Sequence, residues 1–136
     1  MQDRPRRGEL LQGIVHFLES NLVPVLEEPL RFHTRVAANL LRIIERETDL
    51  EAQQLRREAA GLQGLLGQGA IGGEVPLEQL REEVERLNRE LCRRIREGLA
   101  DADPWHREVL NHLRETGIAK LEIANPRIIS QALTRR

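Results

Sequence analysis

Apolar residues recur at helical spacing along most of the chain and predict a series of helices. The stretch from residue 6 to about residue 22 has apolar residues at steps of three and four, which favours a first helix. A second helix is predicted from Leu30, with apolar positions that keep the 3.6-residue period. Residues 48–51 have the pattern of a capping box. The second helix therefore either restarts there and runs to about Leu66, or continues through without a break.

The second half of the chain predicts two more long helices. From Leu77, apolar residues follow at steps of three and four until Gly98, a typical helix stop. Asp103-Pro104 has the pattern of an N-cap followed by a first-turn proline, and it opens a last helix that closes at Asn125. No run alternates between apolar and polar residues as a strand would. We expect an all-α protein, a single antiparallel bundle of four to five helices in one domain over residues 1–136.

The middle of the chain is rich in glycine. Six of the ten glycines lie between Gly61 and Gly73, which predicts a flexible loop at about residues 61–76. Residues 67–72 have the glycine spacing of a dinucleotide-binding fingerprint. That motif needs a strand before it, and a helical pattern precedes it here, so we interpret the segment as a loop.

Composition and charge exclude several kinds of partner. The chain has 21 basic and 22 acidic side chains and three aromatic residues, so it offers neither a basic field nor a stacking platform for nucleic acid. A single cysteine and the lack of an uninterrupted signal-peptide core favour the cytoplasm. No apolar run approaches the ~18 residues that span a bilayer, so we expect no membrane association. The four histidines lack metal-ligand spacing, and we expect no metal and no cofactor.

Several polar residues fall on apolar helix faces and are the candidates for a ligand site. A helical wheel places His33 inside the apolar arc of the second helix, with Asn39 at its edge. Asn88 lies within the seam of the third helix, where a buried amide commonly fixes register. These side chains would face the bundle interior from different helices.

The one lysine of the chain, Lys120, is the most unusual of these candidates. It lies on the apolar side of the last helix if that helix runs straight through Gly117, and it reaches water if Gly117 ends the helix. A buried lysine needs a counter-charge, for which Glu47 is the best available on the wheel. Otherwise a distant acid or a small anionic ligand supplies it. Arg127 is a further candidate contact for such a ligand.

Four arginines form one stripe on the opposite side of the second helix, without a carboxylate between them. Like charges at this spacing repel each other unless something anionic meets them. The stripe is either a solvated face that pairs with glutamates of a neighbouring helix, or a contact surface for a partner or an anion. Its members are Arg31, Arg35, Arg42 and Arg46.

Several segments resemble a family of small, all-helical bacterial proteins known as a domain of unknown function. The matching segments are residues 1–5, 9–11, 31–39, 87–92 and 120–127. The resemblance implies genes that lie near acyl-CoA dehydrogenase-like proteins and aminoglycoside-phosphotransferase-like kinases. It therefore implies an accessory role in acyl-CoA or phosphotransfer metabolism, and it carries over no catalytic residue.

We therefore expect an accessory or interaction module rather than an enzyme, such as a small subunit of a neighbouring kinase-like or dehydrogenase-like protein. The first alternative is a small anionic-ligand binder or enzyme that uses the interior Lys, His and Asn side chains, where lysine and histidine stabilise charge or move a proton. The second alternative is a structural homodimer.

Overall fold

The chain is built from helices. The computed structural model describes residues 4–69 and 72–134, with side chains up to residue 132, and these ranges contain no strand. The all-α prediction is confirmed. None of the described helices is both long enough and apolar enough to cross a bilayer. The elements are α1 (Arg7–Phe17), a π-helix (Leu18–Leu22), α2 (Leu30–Leu66), α3 (Leu77–Arg96), α4 (Trp105–Ala124) and α5 (Pro126–Thr134).

The chain divides into two compact units, and α2 contributes to both. Unit 1 is Met1–Asp49 and unit 2 is Leu50–Arg136. The capping-box pattern at residues 48–51 does not interrupt α2, which is one helix from end to end. One domain over residues 1–136 remains a prediction.

Unit 1 pairs α1 and the π-helix with the first part of α2. The Glu9 carboxylate accepts the Arg6 backbone N–H at 2.6 Å and so satisfies a free donor at the start of α1. The fully buried apolar residues of the unit, among those described, are Val15 and Ala38. Polar contacts complete the pairing, because the Glu19 carboxylate accepts two hydrogen bonds from the Arg42 guanidinium.

Unit 2 is organised around one apolar core. Nine buried residues from α2, α3, α4 and the loop before α4 form it. On α3, four residues of the predicted seam are buried, which confirms that this face packs inward. The core residues are Ala59, Leu62, Leu66, Leu80, Val84, Leu87, Leu91, Ala100 and Val109.

Side-chain contacts show how the helices of unit 2 run. Arg81 and Asn88 of α3 bind Glu51 and Glu58 of α2 in the same chain order, so α3 runs parallel to α2. On α4, Trp105 contacts the end of α2 and later residues contact earlier turns, so α4 runs antiparallel to α2. The expected antiparallel packing holds for α4. It does not hold for α3, which lies beside α2 in the same direction.

Two glycines end helices in unit 2. At Gly67 and at Gly98 the backbone has a positive φ, of 67° and 82°. In both places the following residue donates its N–H to a carbonyl five residues back, the hydrogen bond of a Schellman cap. The glycine-rich loop therefore starts at residue 67 rather than 61, since Gly61 and Gly64 belong to α2. Residues 70 and 71 of the fingerprint-like motif lie outside the described residues.

Candidate functional site

One acidic residue of α2 connects three helices of unit 2. Glu58, whose side chain is 9% exposed, accepts a hydrogen bond from Asn88 Nδ2 of α3 at 2.8 Å. The same carboxylate oxygen lies 3.5 Å from the Nζ of Lys120 on α4. We call Glu58, Asn88, His112 and Lys120 the Glu58 cluster. It combines a carboxylate with one amide donor and one ammonium group.

His112 packs against the backbone of α2 next to Glu58. His112 is 8% exposed, and a Cβ on Gly61 would lie 2.6 Å from its Nδ1 atom. Only glycine at this position leaves room for the ring. Burial lowers the pKa of His112, while the negative charges of Glu58 and Glu115 act in the opposite direction. The lowered pKa favours the neutral form of the imidazole.

The structure places Lys120 differently from either sequence-based alternative. The helix α4 continues through Gly117, yet the Lys120 side chain is 68% exposed. A long aliphatic stem allows the ammonium group to reach water while it contacts Glu58 at the edge of the core. The counter-charge of Lys120 is thus Glu58, an acid that is distant in sequence and that the fold places beside it, which agrees with one of the expected alternatives. The suggested acid, Glu47, is exposed and belongs to unit 1.

The other candidate ligand residues do not join this cluster. His33 and Asn39 belong to unit 1 and are exposed, so the expected inward orientation of His33 is wrong. The His33 ring meets the ring of Phe32 edge-on, with centroids 5.6 Å apart. Arg127 is exposed on α5 of unit 2. Asn88 and Lys120 are the two candidates that the fold brings together.

The arginine stripe of α2 is partly neutralised within unit 1. Arg42 pairs with Glu19 of the π-helix, and the Arg31 Nε donates to the backbone carbonyl of Leu26 at 2.7 Å. Arg46 is half-buried, whereas Arg35 is exposed. On α3, the carboxylates of Glu85 and Glu90 bind arginines of α3 itself. The four arginines therefore do not form one continuous, unpaired cationic surface.

Unit 1 exposes a large amount of apolar surface. On α2 an apolar stripe at steps of four is 41–58% exposed, although Ala38 on the other side of the helix is fully buried. On α1 a second stripe is about half exposed on the side away from Val15. The α2 stripe consists of Phe32, Val36, Leu40 and Ile44, and the α1 stripe of Leu10, Ile14 and Phe17.

The Glu58 cluster can hold helices in register, and its charges are already matched. Glu58 balances Lys120, so no unpaired cation remains there to attract an anionic ligand. The neutral imidazole of His112 is packed against Gly61. Among the described residues, no three metal-binding side chains are grouped to hold a metal ion. The Glu58 cluster is therefore a set of polar contacts that holds α2, α3 and α4 together.

Sequence reasoning missed three residues of this region: Glu58, Gly61 and His112. A signal for Glu58 exists, because it lies one turn from Leu55 and one turn from Leu62 and so shares the apolar face of α2. For Gly61 and His112 the signal is weaker. Their contact joins distant parts of the chain, and local spacing does not report it.

Comparison with known proteins identifies the family. A family model described as a domain of unknown function, DUF6285, matches residues 24–128, which is most of the chain. The match includes all of α2, α3 and α4, hence the whole Glu58 cluster. No curated protein and no solved structure matches the chain. The chain belongs to the DUF6285 family, a domain of unknown function.

Proposed function

We propose that this protein is an accessory module that binds another protein through the apolar stripe of α2 in unit 1. The observation that carries the proposal is the contrast between the two units. Among the residues that the structure describes, unit 2 buries nine apolar residues in one core, whereas unit 1 buries two and leaves nine large apolar side chains 41–74% exposed. Exposed apolar surface of this extent is typical of an interaction site.

The size of the exposed surface fits a protein partner. A free large apolar side chain offers on the order of 150 Å². Nine that are about half exposed therefore leave roughly 700 Å² of apolar surface on unit 1, of which the four residues of the α2 stripe contribute about 300 Å². One side of a standard protein–protein interface buries about 800 Å². The spacing of four residues on α2 suits a helix of the partner, which would present apolar residues at the same spacing.

The partner has two candidate classes. The family resemblance implies a kinase-like or an acyl-CoA dehydrogenase-like protein as a neighbour, and either would place this module in the cytoplasm. We favour this function over an anionic-ligand site built on Lys120, because Glu58 already balances that charge. Catalysis is not part of the proposal, and any reaction belongs to the partner.

The test is co-purification of the untagged chain with each neighbour, followed by measurement of the complex mass. Two variants make it specific. Leu40 on the α2 stripe and Leu110 on α4 are the same residue type with nearly equal exposure, 53% and 51%. We expect Leu40→Glu to abolish the complex, because it introduces a charge into the apolar contact, and Leu110→Glu to leave it intact.

Two outcomes would overturn the proposal. If the chain runs alone and recovers neither neighbour, it loses its support. If the purified chain has twice its own mass and Leu40→Glu halves that mass, the stripe joins two copies of the chain and the protein is a structural homodimer.

A further inference from the structure

A cavity of about 450 Å³ lies where three elements of unit 2 meet. It is formed by the end of α2, the end of α3 and the first residue of α4. Its size is within the range of small-molecule sites. It is separate from the Glu58 cluster, and no residue of that cluster lines it. Neither the family description nor the proposed interaction stripe assigns it a role.

Four of the seven residues that line the cavity are large and apolar, and one of them is fixed in orientation. Leu65, Leu66, Leu99 and Trp105 contribute side chains to the lining. The indole Nε1 of Trp105 donates to the backbone carbonyl of Leu65 at 3.1 Å, which is one of the free carbonyls at the end of α2. This hydrogen bond holds the ring as a rigid wall. The Trp105 ring and the leucines thus offer one side of the cavity to an apolar group.

One charged residue, Arg94, lines the same cavity. Its Nε donates to Glu90 at 2.9 Å, but that carboxylate also binds Arg93 through two nitrogens. Among the described residues, no acceptor binds the two terminal nitrogens of Arg94. These two nitrogens have the geometry that binds a carboxylate through two parallel hydrogen bonds.

A glycine keeps the cavity open. Gly64 lines it from within α2, and a Cβ built there would meet no atom within 4 Å. Gly61, three residues earlier, is explained by the His112 ring, but no packing contact explains Gly64. A glycine inside a helix costs about 0.5–1 kcal/mol relative to alanine. Space for a ligand is a physical reason to keep it.

We infer that this cavity binds a small amphipathic carboxylate, with its apolar body against Trp105 and the leucines and its carboxylate on Arg94. The apolar part of the wall alone would accept any small hydrophobic molecule. The terminal nitrogens of Arg94 add the preference for an anion. This inference does not depend on the proposed interaction stripe, because the two surfaces share no residue.

The test uses 4-phenylbutyrate and its neutral analogue 4-phenylbutan-1-ol, which have the same apolar body. Trp105 is the only tryptophan, so its indole N–H gives one cross-peak in a ¹H–¹⁵N spectrum and needs no assignment. We expect this peak to shift saturably with 4-phenylbutyrate. The alcohol should bind about tenfold more weakly, because it lacks the charge-assisted hydrogen bonds.

Matched variants identify the contacts. Arg94→Gln should weaken 4-phenylbutyrate about tenfold and leave the alcohol unchanged. The control Arg96→Gln, at an exposed arginine of the same turn, should alter neither. Gly64→Leu should fill the cavity and remove the indole shift for both compounds, whereas Gly117→Leu, at another glycine with open space around it, should not.

Three results would overturn the inference: no saturable shift of the indole peak, equal affinities for the acid and the alcohol, or unchanged binding in a folded Gly64→Leu variant. Adsorption of the compounds to the apolar stripes of unit 1 would not mimic the expected result. It would neither respond to Arg94→Gln nor saturate at the Trp105 peak.

Discussion

Two glycines of α2, three residues apart, should respond in opposite ways to the same substitution. In a helix, Gly→Ala normally stabilises the folded protein by about 0.5–1 kcal/mol, because alanine loses less backbone entropy on folding. At Gly64 the new methyl group meets nothing within 4 Å, so Gly64→Ala should show this gain. At Gly61 the methyl group would lie 2.6 Å from His112 Nδ1 and 3.0 Å from Cε1.

The buried His112 ring must therefore move to admit the methyl group in Gly61→Ala. Overpacking of this kind costs about 1–3 kcal/mol, which exceeds the helix gain. We expect Gly61→Ala to be destabilised by about 0.5–2 kcal/mol. Urea unfolding followed by circular dichroism measures both variants, with an unchanged slope as the sign that the two transitions are comparable.

A double substitution isolates the contact. In a His112→Ala background the ring is gone, so Gly61→Ala should become stabilising, as Gly64→Ala already is. If Gly61→Ala stabilises the unmodified chain as much as Gly64→Ala does, the predicted clash with His112 is refuted, since the ring then imposes no constraint on α2.

Three further predictions concern the Glu58 cluster. Asn88→Ala should destabilise unit 2 by about 1–3 kcal/mol in urea unfolding, because it removes a hydrogen bond to the largely buried Glu58 carboxylate. Lys120→Met should change stability by less than about 1 kcal/mol, since the ammonium group is mostly exposed, and a larger loss would show that the pair is better shielded than its exposure indicates. The pKa of His112 is lower in the folded chain than in the unfolded chain, so the unfolded chain binds the proton more readily. The contribution of His112 to the free energy of unfolding is therefore complete above about pH 6.5. It is lost as the pH falls toward the pKa of the folded chain. His112→Gln should remove this part of the pH dependence of urea unfolding, and His33→Gln, at an exposed histidine, should not.

The amphipathic pattern predicted the helices well where the chain itself covers the apolar face. On α3 the seam residues Leu80, Val84, Leu87 and Leu91 are buried as expected, because α2 and α4 lie against them. The same reasoning placed His33 inside the structure, and there it failed. The apolar arc is real, but a helical wheel reports which residues share a face and not what covers that face.

Glycine was the main source of error in the fold. A cluster of glycines usually indicates a loop, and residues 61–76 were assigned to one on that basis. Gly61 is nevertheless helical, because α4 brings the His112 ring against it. The need for this glycine comes from a contact between distant parts of the chain, which composition and spacing do not contain. At Gly67, where the backbone itself requires a positive φ, the local signal was correct.

The candidate site could also be predicted only in part, because its contacts join distant parts of the chain. Asn88 and Lys120 were recognised as polar residues on apolar faces, and they meet at one carboxylate. The partner, Glu58, follows the same rule and could have been found on the face of α2. Its pairing with both residues depends on the parallel path of α3 beside α2, and no local pattern predicts that direction.

The mass of purified mixtures in solution tests most directly whether the α2 stripe binds a partner protein. The chain is combined with each purified neighbour, kinase-like or acyl-CoA dehydrogenase-like, as wild type, Leu40→Glu and Leu110→Glu. We expect a complex with one neighbour for the wild type and for Leu110→Glu, and its loss for Leu40→Glu. Free components in every mixture, or equal losses for the two variants, would contradict a binding surface on the α2 stripe.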